Sequence, residues 1–87
     1  MPSSMPDPQA EQTYSISNVA RLVGISPRQL YYWESIGVIK PVYERFGSYA
    51  YRRYSQEDVD FLARIRKLLD DGYMLRAAVE KARGIAK

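Results

Sequence analysis

The sequence predicts a mainly α fold with one small β-hairpin, and three stretches predict it. Residues 20–36, ARLVGISPRQLYYWESI, read as two short amphipathic helices joined by a tight turn. Residues 42–54 hold two β-prone runs around a Gly-containing link. Residues 55–82 carry a capping signature followed by two apolar stripes at helical spacing. With 87 residues the chain forms one small domain. A chain of that size buries only about 60% of its unfolded surface, so its core is thin.

Residues 1–13 hold three of the five prolines and two acids without a base, and read as a disordered leader. The domain is expected over residues 14–83, with residues 84–87 as a tail. Tyr14-Ser15-Ile16 opens it as a short extended piece, and Ser15 or Ser17 caps the first helix. Val19, Ala20, Leu22 and Val23 supply the buried side of that helix, and Arg21 lies off it, solvated. Gly24 takes the left-handed turn without a Cβ penalty. Ile25 tucks into the core. Ser26-Pro27-Arg28-Gln29 then opens the second helix, with a capping serine, proline at the first helical position and glutamine where a capping box wants it. Leu30, Trp33 and Ile36 are spaced to point inward, and Gly37 closes the helix.

After Lys40-Pro41 the runs Val42-Tyr43-Glu44-Arg45 and Tyr49-Ala50-Tyr51-Arg52-Arg53-Tyr54 flank Phe46-Gly47-Ser48 as a hairpin. Tyr49, Tyr51 and Arg53 share one face, and Ala50, Arg52 and Tyr54 the other. A two-stranded hairpin is barely stable alone, so it leans on the helices or on a partner. Tyr54 is expected to be structural. Ser55-Gln56-Glu57-Asp58 caps the third helix, with acids at the positive end of its dipole. Val59, Leu62, Ile65 and Leu69 form its stripe, widened by Phe61 and Leu68, and Arg64, Arg66 and Lys67 its solvated side. Asp71-Gly72 ends it. Leu75, Ala78, Val79 and Ala82 line the last helix, which Gly84 ends. Helix, turn, helix and arginine-bearing hairpin together make a winged helix-turn-helix followed by two further helices.

The absences narrow the function. The chain has no cysteine and no histidine. That removes disulfides, the usual soft-metal ligands and the commonest general base at neutral pH. Its acids sit mostly at helix ends, Glu34 is expected to pair with a nearby arginine, and no catalytic set converges, so an enzyme is not expected. Residues 1–12 lack the basic start and apolar run of a secretory signal, and no stretch is long enough to span a membrane. A cytoplasmic protein at the nucleoid is the expectation, with no cofactor or metal.

The formal net charge of +3 is uneven. Residues 14–54 carry six bases against two acids, whereas the remaining segments nearly cancel. Arg28, Tyr31, Tyr32 and Ser35 fall at i, i+3, i+4 and i+7 on the second helix. That face holds a cation, two phenols and a hydroxyl, all donors and none an acid, which suits a phosphate-lined groove. The expected nucleic-acid contacts are Ser26, Arg28, Gln29, Tyr31, Tyr32 and Ser35 on the helix-turn-helix, and Arg45, Tyr51, Arg52 and Arg53 on the wing. Arg28, helped by Gln29 and the two tyrosines, reads the major groove of double-stranded DNA, and the wing arginines clamp the flanking backbone.

From Tyr14 to about Ala82 the sequence resembles the DNA-binding domain of the MerR family of bacterial transcription regulators. The carrying residues are Tyr14-Ser-Ile16, Val23-Gly-Ile-Ser26, Arg28-Gln-Leu-Tyr-Tyr-Trp-Glu34, Gly37-Val-Ile39 with Pro41, Tyr51-Arg-Arg-Tyr-Ser55, Glu57-Asp-Val59 and Asp71-Gly-Tyr73. The resemblance implies that Arg28 and Tyr32 contact groove or phosphate and that Arg52 is the wing arginine. It further implies a homodimer on a palindromic promoter or operator site, bending the DNA to alter access by RNA polymerase. The chain departs from the family pattern at Tyr31, where arginine is usual, at Ala50, where glycine is usual, and at Met74, where serine or threonine usually caps the last helix. The stretch from Pro41 to Arg52 is also slightly long for the family. Nothing in the sequence supplies the family's long pairing helix, so a fragment of a longer regulator, or a compact one that pairs only on DNA, is expected. The alternative function is an excisionase-like accessory protein or protein-interaction module built on the same winged shape.

Overall fold

The computed structural model describes residues 13–84. The leader expected over residues 1–13 lies outside them except for Thr13, as does the tail beyond Gly84. Among the described residues four helices and one antiparallel hairpin follow in chain order: α1 (Ile16–Val23), α2 (Pro27–Ser35), β1 (Val42–Phe46), β2 (Tyr49–Arg53), α3 (Gln56–Asp70) and α4 (Leu75–Arg83). The expected fold class is therefore found.

Three of the four described helix starts have a serine cap. Ser15 caps α1, its hydroxyl accepting from the Asn18 amide at 3.2 Å, which settles the choice between Ser15 and Ser17. Ser26 caps α2 in the same way through the Gln29 amide at 3.0 Å. The reciprocal bond from the Gln29 side chain is not made among the described residues, so only half of the expected capping box forms there. At α3 both halves form: Asp58 N–H donates to Ser55 Oγ at 3.1 Å, and Ser55 N–H to Asp58 Oδ2 at 2.9 Å. Met74 precedes α4 with no side-chain cap.

The turn after α1 depends on Gly24, whose φ of 86° is left-handed and whose missing Cβ leaves room for the Arg66 guanidinium. Arg66 Nη1 donates to the Gly24 carbonyl and Nε to Asp70 at 3.0 Å. Arg66 is half-buried rather than part of a solvated side, because a long arginine on α3 reaches the carbonyl left free at the helix-turn-helix corner. The end of α2 is a Schellman motif: Gly37 N–H donates to the Glu34 carbonyl at 3.1 Å and Val38 N–H to the Trp33 carbonyl at 2.9 Å. That motif corrects one expectation. Ile36 is the helix cap, leaves the helical spacing and stays 47% exposed, and Val38 and Ile39 enter the core in its place.

A second correction falls on α1. Val19, Ala20 and Val23 are buried, but Leu22 is 56% exposed. At about 100° per residue, Leu22 lies roughly 100° round the helix from the centre of that buried trio. The core runs through all the helices and Tyr54, with Val19, Leu30, Trp33, Tyr54, Leu62 and Ile65 fully enclosed. The helix α1 packs on both α2 and α3, and α3 on α4.

The hairpin sits apart from this core. Every residue of β1 is exposed, and only Arg52 and Arg53 of β2 are half-buried. Its register pairs Tyr43 with Arg52, Arg45 with Ala50 and Phe46 with Tyr49. Phe46 therefore belongs to β1, and the turn is the two residues Gly47-Ser48 rather than the three-residue link expected. An isolated bridge between Tyr14 and Tyr54, with backbone bonds of 2.8 and 2.9 Å, ties the base of the wing to the start of α1.

Candidate nucleic-acid interface

The exposed side of α2 presents Arg28, Tyr31, Tyr32 and Ser35. Tyr31 and Tyr32 are 46% and 55% exposed, so neither phenol is spent on the core. Arg28 makes no side-chain hydrogen bond or ion pair among the described residues, which leaves its guanidinium available. Gln29 is likewise exposed, its side chain free of its own cap. Two of the expected contacts are partly committed. Ser26 accepts the cap bond, and Ser35 Oγ donates to the Tyr32 carbonyl at 2.6 Å.

The register divides the four expected wing residues between two faces. Arg45 shares a face with Tyr43 and Arg52, and this face turns toward α2. Tyr51 and Arg53 lie on the opposite face. There Tyr51 packs beside Phe46 and Tyr49, with ring centroids 5.7 and 6.1 Å away. Arg53 points toward Glu44 at 3.7 Å, and its guanidinium donates to Thr13 Oγ1 at 2.9 Å and to the Thr13 carbonyl at 3.2 Å.

Where the wing meets α2, four side chains form one cluster. Arg52 Nε donates to Glu34 Oε1 at 2.7 Å, and the Tyr43 hydroxyl donates to Glu34 Oε2 at 2.5 Å. The Arg52 guanidinium also lies 4.6 Å from the centroid of the Tyr31 ring and 5.4 Å from that of Tyr43. Burial pushes the Glu34 carboxyl up, but the Tyr43 hydroxyl and the Arg52 guanidinium more than offset this and hold it below its ordinary value. The Glu34 carboxylate in turn raises the pKa of Tyr43 and of Arg52. Beneath the cluster, burial pushes the enclosed Tyr54 hydroxyl up to about 12, and that hydroxyl has no hydrogen-bond partner among the described residues.

The sequence pairs Glu34 with an arginine and leaves open which one; the structure makes it Arg52. Tyr43 is the member that sequence reasoning misses. The usable signal is alternation along β1, but it selects Tyr43 only once the two-residue turn fixes the register. Chemically, the surface offers two arginines, Arg28 and Arg45, without an ion pair among the described residues, two phenols and an amide beside a neutralised arginine-carboxylate pair. No cluster of metal-ligating side chains occurs among the described residues, and no described helix is long and apolar enough to cross a membrane.

Comparisons with known proteins fit this geometry. The chain is 36% identical over 61 residues to an uncharacterised HTH-type transcriptional regulator of Synechocystis sp., covering 70% of this chain and 43% of that protein. It is also 36% identical over 61 residues to a probable heavy metal-dependent transcriptional regulator of Haemophilus influenzae, covering 70% and 46%. The chain thus spans less than half the length of either relative. Among solved structures it is similar to HiNmlR, described as a MerR family regulator lacking the sensor domain and bound to promoter DNA. That match has a TM-score of 0.65 and 26% identity, and covers 84% of this chain and 54% of the other. Residues 14–85 match the family described as "MerR HTH family regulatory protein", and the chain belongs to that family.

Proposed function

We propose that this chain binds double-stranded DNA at a promoter or operator as part of a transcription regulator. In this reading α2 enters the major groove and the wing lies along the adjacent backbone. The observation that carries the reading is the α2 face: Arg28, Tyr31, Tyr32 and Ser35 are all exposed, and Arg52 extends that surface onto the wing. Cationic side chains on phosphate give most of the affinity, with strong salt dependence, and Arg28 contributes base discrimination. The similarity to HiNmlR, a MerR family regulator bound to promoter DNA, supports the same assignment. Ser26, Gln29, Arg45, Tyr51 and Arg53 complete the proposed contact set, with Tyr51 and Arg53 on the wing's outer face. Pairing of two copies on a palindrome and an effect on RNA polymerase access extend the reading to the whole regulator.

Fluorescence anisotropy on labelled duplexes tests it. Affinity should fall steeply as salt rises, and Arg28→Ala should lose about 1–3 kcal/mol of binding. Selection of bound duplexes from a random pool should return a palindrome if two copies pair. Salt-independent binding, or an Arg28→Ala variant that binds like the parent, would contradict the assignment.

A further inference from the structure

The hairpin has little apolar anchorage above its base. All of β1 is exposed, and among the described residues its side-chain hydrogen bonds to α2 both end on one carboxylate, that of Glu34. Glu34 uses one oxygen for Arg52 of β2 and the other for Tyr43 of β1, so it grips both strands. The same contacts set Arg52 against the Tyr31 ring on the exposed face of α2. An acid beside a polyanion should weaken binding if it acts only by its charge. Here its contacts oppose that cost, because two strands without a packed face lose a defined direction when their polar link is cut.

Resting on the DNA-binding reading above, the geometry points to Glu34 as a positioning residue: it holds the wing at a fixed angle to α2 through Arg52 and Tyr43, and so raises DNA affinity despite its negative charge. Arg52 is then the joint between helix and wing as much as a phosphate contact. Glu34 itself touches no DNA.

The sign of one substitution tests this. The full chain is titrated into a labelled duplex of about 30 base pairs recovered by selection from a random pool. Glu34→Gln should weaken binding about fivefold, the size of one partly exposed charge-assisted contact, although it removes a negative charge. Tyr43→Phe, which changes no charge, should weaken it about twofold. Glu80→Gln, an equal charge change on α4, should not weaken it. In an Arg52→Gln background the effect of Glu34→Gln should vanish or reverse, since the carboxylate then has no arginine to place. Equal or tighter binding by Glu34→Gln in a chain whose parent binds with salt dependence would overturn the positioning role while leaving DNA binding intact.

A second measurement on the free protein separates the two readings. The Arg52 guanidinium carbon lies 4.6 Å from the centroid of the Tyr31 ring, so the protons at the end of this side chain should show a ring-current shift in NMR spectra. That shift should collapse toward the random-coil position in Glu34→Gln if Glu34 holds the arm, even should the parent bind no duplex. A shift unchanged by Glu34→Gln would refute the positioning role. Thermal melts should stay within a few degrees of the parent for every variant, because the cluster lies outside the enclosed core.

Discussion

The helical body and the wing are held together by different physics. The body closes around enclosed apolar side chains, with serine caps at three of the four described helix starts. The wing is an exposed two-stranded ribbon fixed by a backbone bridge at its base and by Glu34, Arg52, Tyr43 and Tyr31 above it. Burying apolar area is non-directional and tolerant of detail. A carboxylate gripping two strands is directional and depends on one residue. The body therefore supplies stability, and the cluster supplies the angle at which a binding surface is presented.

Four variants would break or sharpen that contrast. The largest effect belongs to the body. Trp33 is 1% exposed, and Trp33→Ala should cost about 3–5 kcal/mol in urea unfolding. The exposed wing residue Tyr51, by contrast, should cost below about 1 kcal/mol when changed to alanine. Similar losses at the two positions would erase the distinction. Next comes the uncapped start of α4: Met74→Ser should add about 1 kcal/mol by supplying the missing side-chain acceptor, with DNA affinity unchanged. A stability equal to the parent's would mean that the α4 start is satisfied in another way.

The smallest effect concerns acid. The folded-state pKa of Glu34 is lowered from 4.5, so its favourable contacts are fully present above that value. They are lost as pH falls through the lower folded value. The ionisable groups that hold or underlie it, Arg52, Tyr43 and the buried Tyr54, all have raised pKa values, so none of these three changes charge in acid. The stability difference between the parent and Glu34→Gln should be flat at neutral pH and at most about 1 kcal/mol. It should shrink on acidification below the ordinary carboxylate value. A difference that instead grows in acid would reverse the assigned sign.

The same contrast explains what could be read from the sequence. Caps and periodicity are local, so Ser26-Pro27, Ser55 with Asp58, and the stripe through Val59, Leu62 and Ile65 lead directly to helices with the correct buried sides. The misplacements occur where a helix ends or its apolar arc is narrow. Ile36 lies one residue past the last helical residue, at the cap of the Schellman motif, and Leu22 lies off an arc only three residues wide. The wing was recognisable as a hairpin, but its register depends on whether Phe46 is strand or loop. That single residue decides whether Tyr43 lies opposite Arg52. The partner of Arg66, a carbonyl 42 positions away in sequence, leaves no local pattern at all.

In the proposed complex one surface, made of the exposed side of α2 and the α2-facing side of the wing, meets duplex DNA. Amide and side-chain chemical-shift mapping during titration with a selected duplex tests it most directly. The largest perturbations should fall on Arg28, Tyr31, Tyr32 and Ser35 and extend to Arg45 and Arg52. Perturbations centred instead on the groove between Ile36, Leu75 and Val79, with the α2 face unmoved, would contradict it.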